Sequence, residues 1–217
     1  MTPIFETKAN TRVSIWNVRT LFQCGRMDQV LKTMRDYRLD ILGISEIRWT
    51  GQGRLVIDGA TVVFSGKQDH HTNGVGIILS NCAAQALVGW KPVNERIVTA
   101  RLYTRRAGVT IVQVYAPTEV ASEEHKGSFY IQLQAVFDEI PSYDIKMLIG
   151  ALNAELDGDR RGLNPPVEPY GSASSTNDNG EMLMMMLMLA STNGLSIGNT
   201  FFKHKQIHKI TWVSPGG

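Results

Sequence analysis

The sequence predicts an α/β fold in which a two-layer β-sandwich core is flanked by helices, giving four layers in the order α/β/β/α. Three observations support this fold class. Short apolar segments of strand length recur along the chain, amphipathic helical segments separate some of them, and a hairpin-rich section occupies residues 54–115. The apolar run over residues 41–44 is continuous, which is typical of a strand with both faces covered.

The chain begins with a predicted strand, helix and strand. Residues 11–18 alternate in polarity and predict the first strand. Apolar side chains recur every three or four positions over residues 25–37, which predicts a helix with one buried face. Residues 40–45 predict the second strand. We expect residues 1–10 to be a loose lead-in and residues 11–217 to form one domain.

The middle of the chain is rich in β-structure. Residues 54–57 and 61–65 predict a hairpin, because Gly59 between them accepts the positive φ of a tight turn. Two stacked sheets would bury the strands that follow. These further strands are predicted over residues 74–80, 84–90, 97–103 and 109–115.

The second half of the chain contains two predicted helices. The first, over residues 122–140, begins with a capping serine and an acidic first turn. A strand over 145–149 follows and ends at Gly150. Residues 158–179 are rich in Gly, Pro, Ser and Asn and predict a long surface loop. The remaining elements are a helix over 181–192 and strands over 195–199 and 207–213.

Composition limits the class of protein. A chain of 217 residues that is 43% hydrophobic can bury one sizeable core. The net charge of +2 does not by itself indicate nucleic-acid binding. Cys24 and Cys82 lie far apart without metal-like spacing, so we expect reduced thiols in an intracellular protein. The longest apolar run, over 182–190, is too short to span a bilayer, so no membrane association is expected.

Polar side chains follow several predicted strands, namely Asn17, Glu46, Tyr115 and Asn153. Mg²⁺ prefers oxygen ligands, often one or two carboxylates completed by water and phosphate. Glu46 is therefore the best ligand candidate, and the two asparagines can position oxygens or donate to a phosphate. Tyr115 can donate a hydrogen bond to developing negative charge. The alternative interpretation is structural: a solvated carboxylate, a turn asparagine and a core tyrosine.

Short segments along nearly the whole chain resemble the endonuclease domain of RTE-type non-LTR retrotransposons. That domain belongs to the endonuclease/exonuclease/phosphatase superfamily and also occurs in craniofacial development protein 2-like sequences. Each segment is weakly specific alone, and their order along the chain makes the set specific. The segments are residues 15–21, 44–49, 73–76, 96–97, 114–118, 149–154, 199–202 and 211–215.

The resemblance implies Mg²⁺-dependent nicking of DNA, as in retrotransposon integration, with Mn²⁺ as an alternative ion. It places Asn17 and Glu46 at the metal, and Tyr115 and Asn153 at the scissile phosphate. It also implies a monomer that acts on DNA in the nucleus. The nucleic-acid contacts that we expect on this basis are Arg19, Arg48, Trp49, Asn73 and Arg96.

Two departures from the family pattern bear on activity. The family carries an aspartate at the catalytic position occupied here by Ala151, and that aspartate orients or deprotonates the attacking water. Losing a general base costs about 10²–10⁴-fold in rate. The family's terminal Asp-His pair is also absent, so we expect a C-terminally truncated domain that lacks its last strand. Both departures predict impaired catalysis.

Two other functions remain open at this point. Ala151 favours a non-catalytic relic or a nucleic-acid-binding pseudoenzyme. A phosphoinositide or sphingomyelin phosphodiesterase of the same superfamily is the other alternative. The segments over 16–21 and 201–204 are unlike those of the lipid-directed enzymes.

Overall fold

The structure is a computed structural model that describes residues 11–104, 107–156, 173, 175–189 and 195–198. The chain divides into two compact units. The first comprises Met1–Ala116 and Val136–Leu152, and the second comprises Pro117–Ala135 and Asn153–Gly217. No helix in the described ranges is both long enough and apolar enough to cross a membrane.

The first unit contains a five-stranded mixed sheet in the spatial order β1-β2-β5-β4-β3. β1 and β2 are parallel, because helix α1 (Arg26–Asp36) connects them, and the other neighbours are antiparallel. The strands are β1 (Val13–Asn17), β2 (Ile41–Ser45), β3 (Gln52–Ile57), β4 (Ala60–Ser65) and β5 (Val75–Leu79).

A four-stranded mixed sheet in the order β6-β7-β8-β9 completes the sandwich of the first unit. A short helix, α2 (Asn81–Ala84), leads from the first sheet into this one. β8 and β9 are parallel and are connected through helix α3 (Glu123–Glu139), while the other pairs are antiparallel. The strands are β6 (Leu87–Asn94), β7 (Ile97–Tyr103), β8 (Gly108–Tyr115) and β9 (Ile145–Ala151).

Apolar side chains from both sheets form the main core, and a second apolar layer lies between α1 and the outer face of the first sheet. The α1 side chains Val30, Leu31 and Met34 are buried there, as their helical spacing predicts. The predicted fold class is confirmed, since the structure has two mixed sheets with flanking helices. The inter-sheet core includes Ile41, Ile77 and Leu79 from one sheet and Val98, Leu102 and Ile111 from the other.

A partly buried ion pair connects β7 and β8 to Asp144, the residue just before β9. Arg101 of β7 donates from Nε and Nη2 to both oxygens of Asp144, at 2.8 and 2.9 Å, and the Thr110 hydroxyl donates to the same carboxylate at 2.7 Å. The Arg101 bonds lower the pKa of Asp144. Gly108 is required beside the pair, because a Cβ there would lie 2.2 Å from Asp144 Oδ1.

The second unit contains helix α4 (Asp178–Leu189) and most of α3. α4 begins three residues earlier than predicted, because Asn177 Oδ1 accepts a hydrogen bond from the Gly180 amide at 2.9 Å and caps the helix. Lys126 of α3 is buried and donates to Glu119 at 3.2 Å and to Asp178 at 3.0 Å. These bonds outweigh the effect of burial and raise the pKa of Lys126.

One predicted strand starts too early, and another is not formed over its described residues. The strand predicted over 84–90 begins only at Leu87, because Ser80 Oγ accepts from the Ala83 amide at 3.2 Å and caps α2 instead. Residues 195–198 carry no strand. The predicted strand over 207–213 lies outside the described residues, as do the lead-in over 1–10 and most of the predicted loop over 158–179.

Candidate active site

The first half of the site lies where two parallel strands end. Asn17 is the last residue of β1 and pairs in register with Ser45, the last residue of β2. Glu46 follows directly, so its side chain and that of Asn17 emerge at the same edge of the sheet. Asn17 Nδ2 donates to Glu46 Oε1 at 2.6 Å. The predicted association of these two residues is therefore present as a direct hydrogen bond.

The second sheet contributes Tyr115, the last residue of β8. Its hydroxyl donates to Glu46 Oε1 at 3.0 Å, so the carboxylate is held from both sheets. Burial, together with the negative charge of Glu46, raises the pKa of Tyr115 to about 12. Tyr115 therefore remains a protonated donor throughout the neutral range.

Three arginines contact Glu46 or the two residues that donate to it. Arg48 Nη2 lies 3.7 Å from Glu46 Oε2, and the Arg48 side chain is half exposed, which makes the ion pair a weak one. Arg96 donates from Nη1 to the Tyr115 carbonyl at 3.0 Å, and its guanidinium lies 5.3 Å from the centre of the Tyr115 ring. Burial lowers the pKa of Arg96. The amide of Arg19 donates to Asn17 Oδ1 at 3.1 Å.

The backbone around Glu46 adopts conformations that non-glycine residues rarely take. Glu46, Arg48 and Asn73 have φ of 57°, 58° and 56°, in the left-handed region. Such positions cost about 1–3 kcal/mol each and concentrate at functional sites. The Arg48 amide donates to the Asn73 carbonyl at 2.9 Å, so Asn73 shapes the loop through its backbone. The predicted nucleic-acid contact of the Asn73 side chain stays a prediction.

A buried polar pair beneath the site joins the two sheets. Gln113 of β8 is fully buried and donates from Nε2 to Ser45 Oγ at 3.0 Å, to the Ile44 carbonyl at 3.3 Å and to the Val114 carbonyl at 3.1 Å. Ser45 and Val114 immediately precede Glu46 and Tyr115, so the pair sets the spacing of both. Gly43 makes room for it, because a Cβ there would lie 2.0 Å from Gln113 Oε1.

Sequence reasoning did not identify Gln113. The signal in the sequence was one amide side chain within a strand of mostly apolar residues. Because buried polar groups are almost always hydrogen-bonded, such a residue indicates a specific buried contact. Gln113 Nε2 is hydrogen-bonded, whereas Oε1 has no hydrogen-bond partner among the residues that the structure describes.

Ala151 lies beside Tyr115. The two residues are partners in the parallel pairing of β8 and β9, and both contact the inter-sheet core, so their side chains share one face. The preceding Gly150 has φ 130° and approaches β8 so closely that a Cβ would lie 2.0 Å from the Val114 carbonyl oxygen. The methyl group of Ala151 offers no proton acceptor at this position.

Two further predicted site residues, Asn153 and Trp49, make hydrogen bonds to backbone carbonyls. Asn153 belongs to the second unit, where its Nδ2 donates to the Pro117 carbonyl at 3.3 Å. Trp49 donates from Nε1 to the Leu21 carbonyl at 3.3 Å, and its ring meets Phe64 edge-on at 5.1 Å. The proposed phosphate contact of Asn153 and nucleic-acid contact of Trp49 stay predictions.

The oxygen donors around Glu46 bear on whether the site can hold a divalent cation. In the described part of the chain, no group of three or more His, Cys, Asp or Glu side chains converges. The oxygen donors at the site are one carboxylate, Glu46, and the amide oxygen of Asn17. This set fits Mg²⁺, which commonly binds through one or two carboxylates and retains water or substrate phosphate. It does not fit an ion that requires a complete protein cage.

The chain is similar in sequence to craniofacial development protein 2 of Bos taurus and of Tragulus javanicus. Identity is 32% over 205 residues in both cases, covering 94% of this chain. The chain spans about a third of the length of these curated relatives (33% and 34%). No protein-family model matches the chain.

Several solved structures share the fold. The endonuclease domain of the telomere-specific non-LTR retrotransposon TRAS1 superposes with a TM-score of 0.59 at 18% identity, covering 88% of this chain and 75% of that domain. The AP endonuclease LMAP from Leishmania major superposes with a TM-score of 0.55 at 13% identity, covering 82% of this chain and 65% of LMAP. The Xenopus laevis APE2 catalytic domain gives 0.52 at 15% identity, covering 82% and 67%.

Proposed function

We infer that this chain, which has the endonuclease/exonuclease/phosphatase fold, carries a divalent-metal-dependent endonuclease site for DNA whose hydrolytic step is impaired. One observation carries the proposal: Asn17 and Tyr115, from different sheets, both donate to Glu46 Oε1, at 2.6 and 3.0 Å. The similarity to proteins described as endonucleases supports the reaction class.

The charges around Glu46 suit a phosphodiester. The Arg48 guanidinium lies 3.7 Å from Glu46, the Arg96 guanidinium lies over the Tyr115 ring, and the exposed Arg19 donates its amide to Asn17. Guanidinium groups pair well with phosphate oxygens. Arg48 is the best placed of the three, because its ion pair with Glu46 is long and half exposed. The protonated Tyr115 hydroxyl can donate to an oxygen whose negative charge grows during the reaction.

Glu46 and Asn17 would hold the divalent ion. Mg²⁺, or Mn²⁺ with the same oxygen donors, would polarise a phosphoryl oxygen and stabilise its developing charge. The hydrogen bonds of Asn17 and Tyr115 fix the Glu46 carboxylate in one orientation before any ligand arrives. A preorganised carboxylate binds with less loss of side-chain freedom.

Ala151 explains why we propose an impaired reaction. A methyl group beside Tyr115 cannot accept a proton from water, and general-base catalysis is worth about 10²–10⁴-fold. The same observation favours a second candidate function, binding of nucleic acid without hydrolysis. In either case a nuclear location and a monomeric state are part of the proposal.

Nicking of supercoiled plasmid tests the proposal. The unchanged chain, Ala151→Asp and the double variant Ala151→Asp/Glu46→Gln are compared in Mg²⁺ and in EDTA. We expect Ala151→Asp to nick faster than the unchanged chain in Mg²⁺ only, and Glu46→Gln to abolish the gain. DNA binding with a steep salt dependence but no nicking by any variant favours the binding-only function. Neither binding nor nicking would overturn both functions.

A further inference from the structure

Two exposed aromatic residues contact each other outside the candidate active site. The rings of Phe22 and His71 are 4.5 Å apart between centroids and tilted by 52°. Phe22 is 65% exposed, although an aromatic ring of this size is usually buried. The two residues are distant in sequence and meet only in the fold. We refer to Phe22 and His71 as the aromatic pair.

The loop that carries Phe22 is held firmly by its neighbours. The amide of Leu21 donates to the Ile47 carbonyl at 2.9 Å, and Trp49 Nε1 donates to the Leu21 carbonyl at 3.3 Å. The Leu21 side chain is buried, and the Phe22 amide donates to Thr20 Oγ1 at 3.1 Å. Phe22 is therefore an exposed ring on an anchored backbone, which reduces the ordering cost of binding.

The aromatic pair is connected to the candidate active site through Arg48. His71 Nδ1 lies 2.9 Å from the Arg48 carbonyl oxygen, and because a carbonyl only accepts, Nδ1 is the protonated nitrogen. The Arg48 guanidinium in turn lies 3.7 Å from Glu46 Oε2. One residue thus separates the aromatic pair from the proposed metal ligand.

We propose that Phe22 and His71 form a stacking surface for an unpaired nucleobase of the DNA strand whose phosphate lies beside Glu46. Every base presents a π-face to an exposed aromatic ring, and such stacking is a recurrent mode of single-strand binding. Arg19 and Arg48 supply positive charge for the adjoining backbone phosphates. A base within a duplex is already stacked on both faces, so the occupant is an unpaired base.

This inference rests on the proposed function, and the experiment separates the two. A short fluorescent single-stranded DNA of mixed sequence is titrated by anisotropy in EDTA, so that no cleavage occurs. A strand of the same length without bases serves as the second probe. The protein variants are Phe22→Ala, Phe22→Leu and Phe22→Trp, with Arg48→Ala to report on phosphate binding.

Tyr37→Ala is the matched control. Tyr37 is an aromatic residue of the same unit, is 68% exposed, and lies before β2, at the opposite end of that strand from Glu46. Thermal melting of each variant verifies folding, and the exposure of Phe22 means that its substitution should leave the melting temperature nearly unchanged.

We expect Phe22→Ala and Phe22→Leu to weaken binding of the base-containing strand by about 5- to 100-fold. Phe22→Trp should retain it, Tyr37→Ala should not affect it, and the baseless strand should not distinguish the Phe22 variants. Loss of affinity in Arg48→Ala but not in Phe22→Ala overturns the stacking surface and leaves the proposed function standing. Failure of the unchanged chain to bind either strand overturns the stacking surface, and plasmid nicking in Mg²⁺ then decides the proposed function separately.

Discussion

The replacement Ala151→Asp tests the metal site through stability, without requiring turnover. Ala151 is the parallel partner of Tyr115, whose hydroxyl donates to Glu46. Neighbouring strands are about 4.8 Å apart, so a carboxylate at position 151 lies on the Tyr115 face and near Glu46. Without a cation, the second negative charge should lower the free energy of unfolding.

The size of the effect follows from Coulomb's law. Two carboxylates about 6 Å apart repel by roughly 3 kcal/mol at an effective dielectric constant near 20, and by about 0.7 kcal/mol in water. The Glu46 side chain is 20% exposed, which places the site between these limits. We therefore expect Ala151→Asp to lose about 2 kcal/mol in EDTA. Mg²⁺ at about 100 times its dissociation constant should return about 2.7 kcal/mol.

Urea unfolding followed by circular dichroism measures both quantities. Ala151→Asn is the matched control, since it has the same shape without the charge. The unchanged chain should gain less from Mg²⁺ than Ala151→Asp, and Glu46→Gln should remove the gain. The assignment of these positions to one cation site would be refuted if Ala151→Asn and Ala151→Asp lowered the free energy of unfolding equally in EDTA. It would also be refuted if Mg²⁺ stabilised Ala151→Asp equally with and without Glu46→Gln.

Four further predictions concern the two sheets and the contacts between them. Arg101→Met should lower the free energy of unfolding by about 3 kcal/mol, because it leaves the buried Asp144 carboxylate charged and without its arginine. Asp144→Asn leaves a guanidinium that is 37% exposed, so it should lower the free energy of unfolding by about half as much. Urea titrations at different pH should show that this ion pair depends on pH. Because the pKa of Asp144 is lowered, the pair stabilises the fold above about pH 4 and this stabilisation is lost on acidification. Arg101→Met should reduce the change in the free energy of unfolding with pH. A double-mutant cycle of Tyr115→Phe and Glu46→Gln should give a coupling of about 1–2 kcal/mol, and zero coupling would contradict the cross-sheet hydrogen bond. Gln113→Met removes three hydrogen bonds, but it also removes a buried carbonyl oxygen that has no partner among the described residues. Calorimetry should therefore show that the free energy of unfolding falls by less than about 2 kcal/mol. A larger decrease would indicate an unrecognised partner of Oε1.

Much of the framework was predictable because local patterns and tertiary structure agree. The stripe of α1 packs where its spacing requires, and the continuous apolar run of β2 has both faces covered. The position of Glu46 after that run was also informative, since parallel strands bring their carboxyl ends to one edge. The sequence therefore located Asn17, Glu46 and Tyr115 at strand ends, and the structure joins them by hydrogen bonds.

The remaining features depend on contacts that no local pattern contains. Gln113 could face either side of β8 by alternation alone, and its inward direction depends on Ser45, 68 residues earlier. The strand predicted from residue 84 starts too early, because Ser80 Oγ accepts from the Ala83 amide and caps a short helix that ends at Ala84. The aromatic pair was equally invisible, since Phe22 and His71 come from different loops.

The order of the sheets along the chain has a consequence for synthesis. In the described part of the chain, the strands of the first sheet come from residues 13–79 and those of the second from residues 87–151. The ribosome therefore makes all the residues of the sheet that bears Asn17 and Glu46 before it makes β8. The Glu46 carboxylate cannot accept its hydrogen bond from the Tyr115 hydroxyl until residue 115 has been synthesised. The linear order of the gene thus delays assembly of the site until both sheets exist.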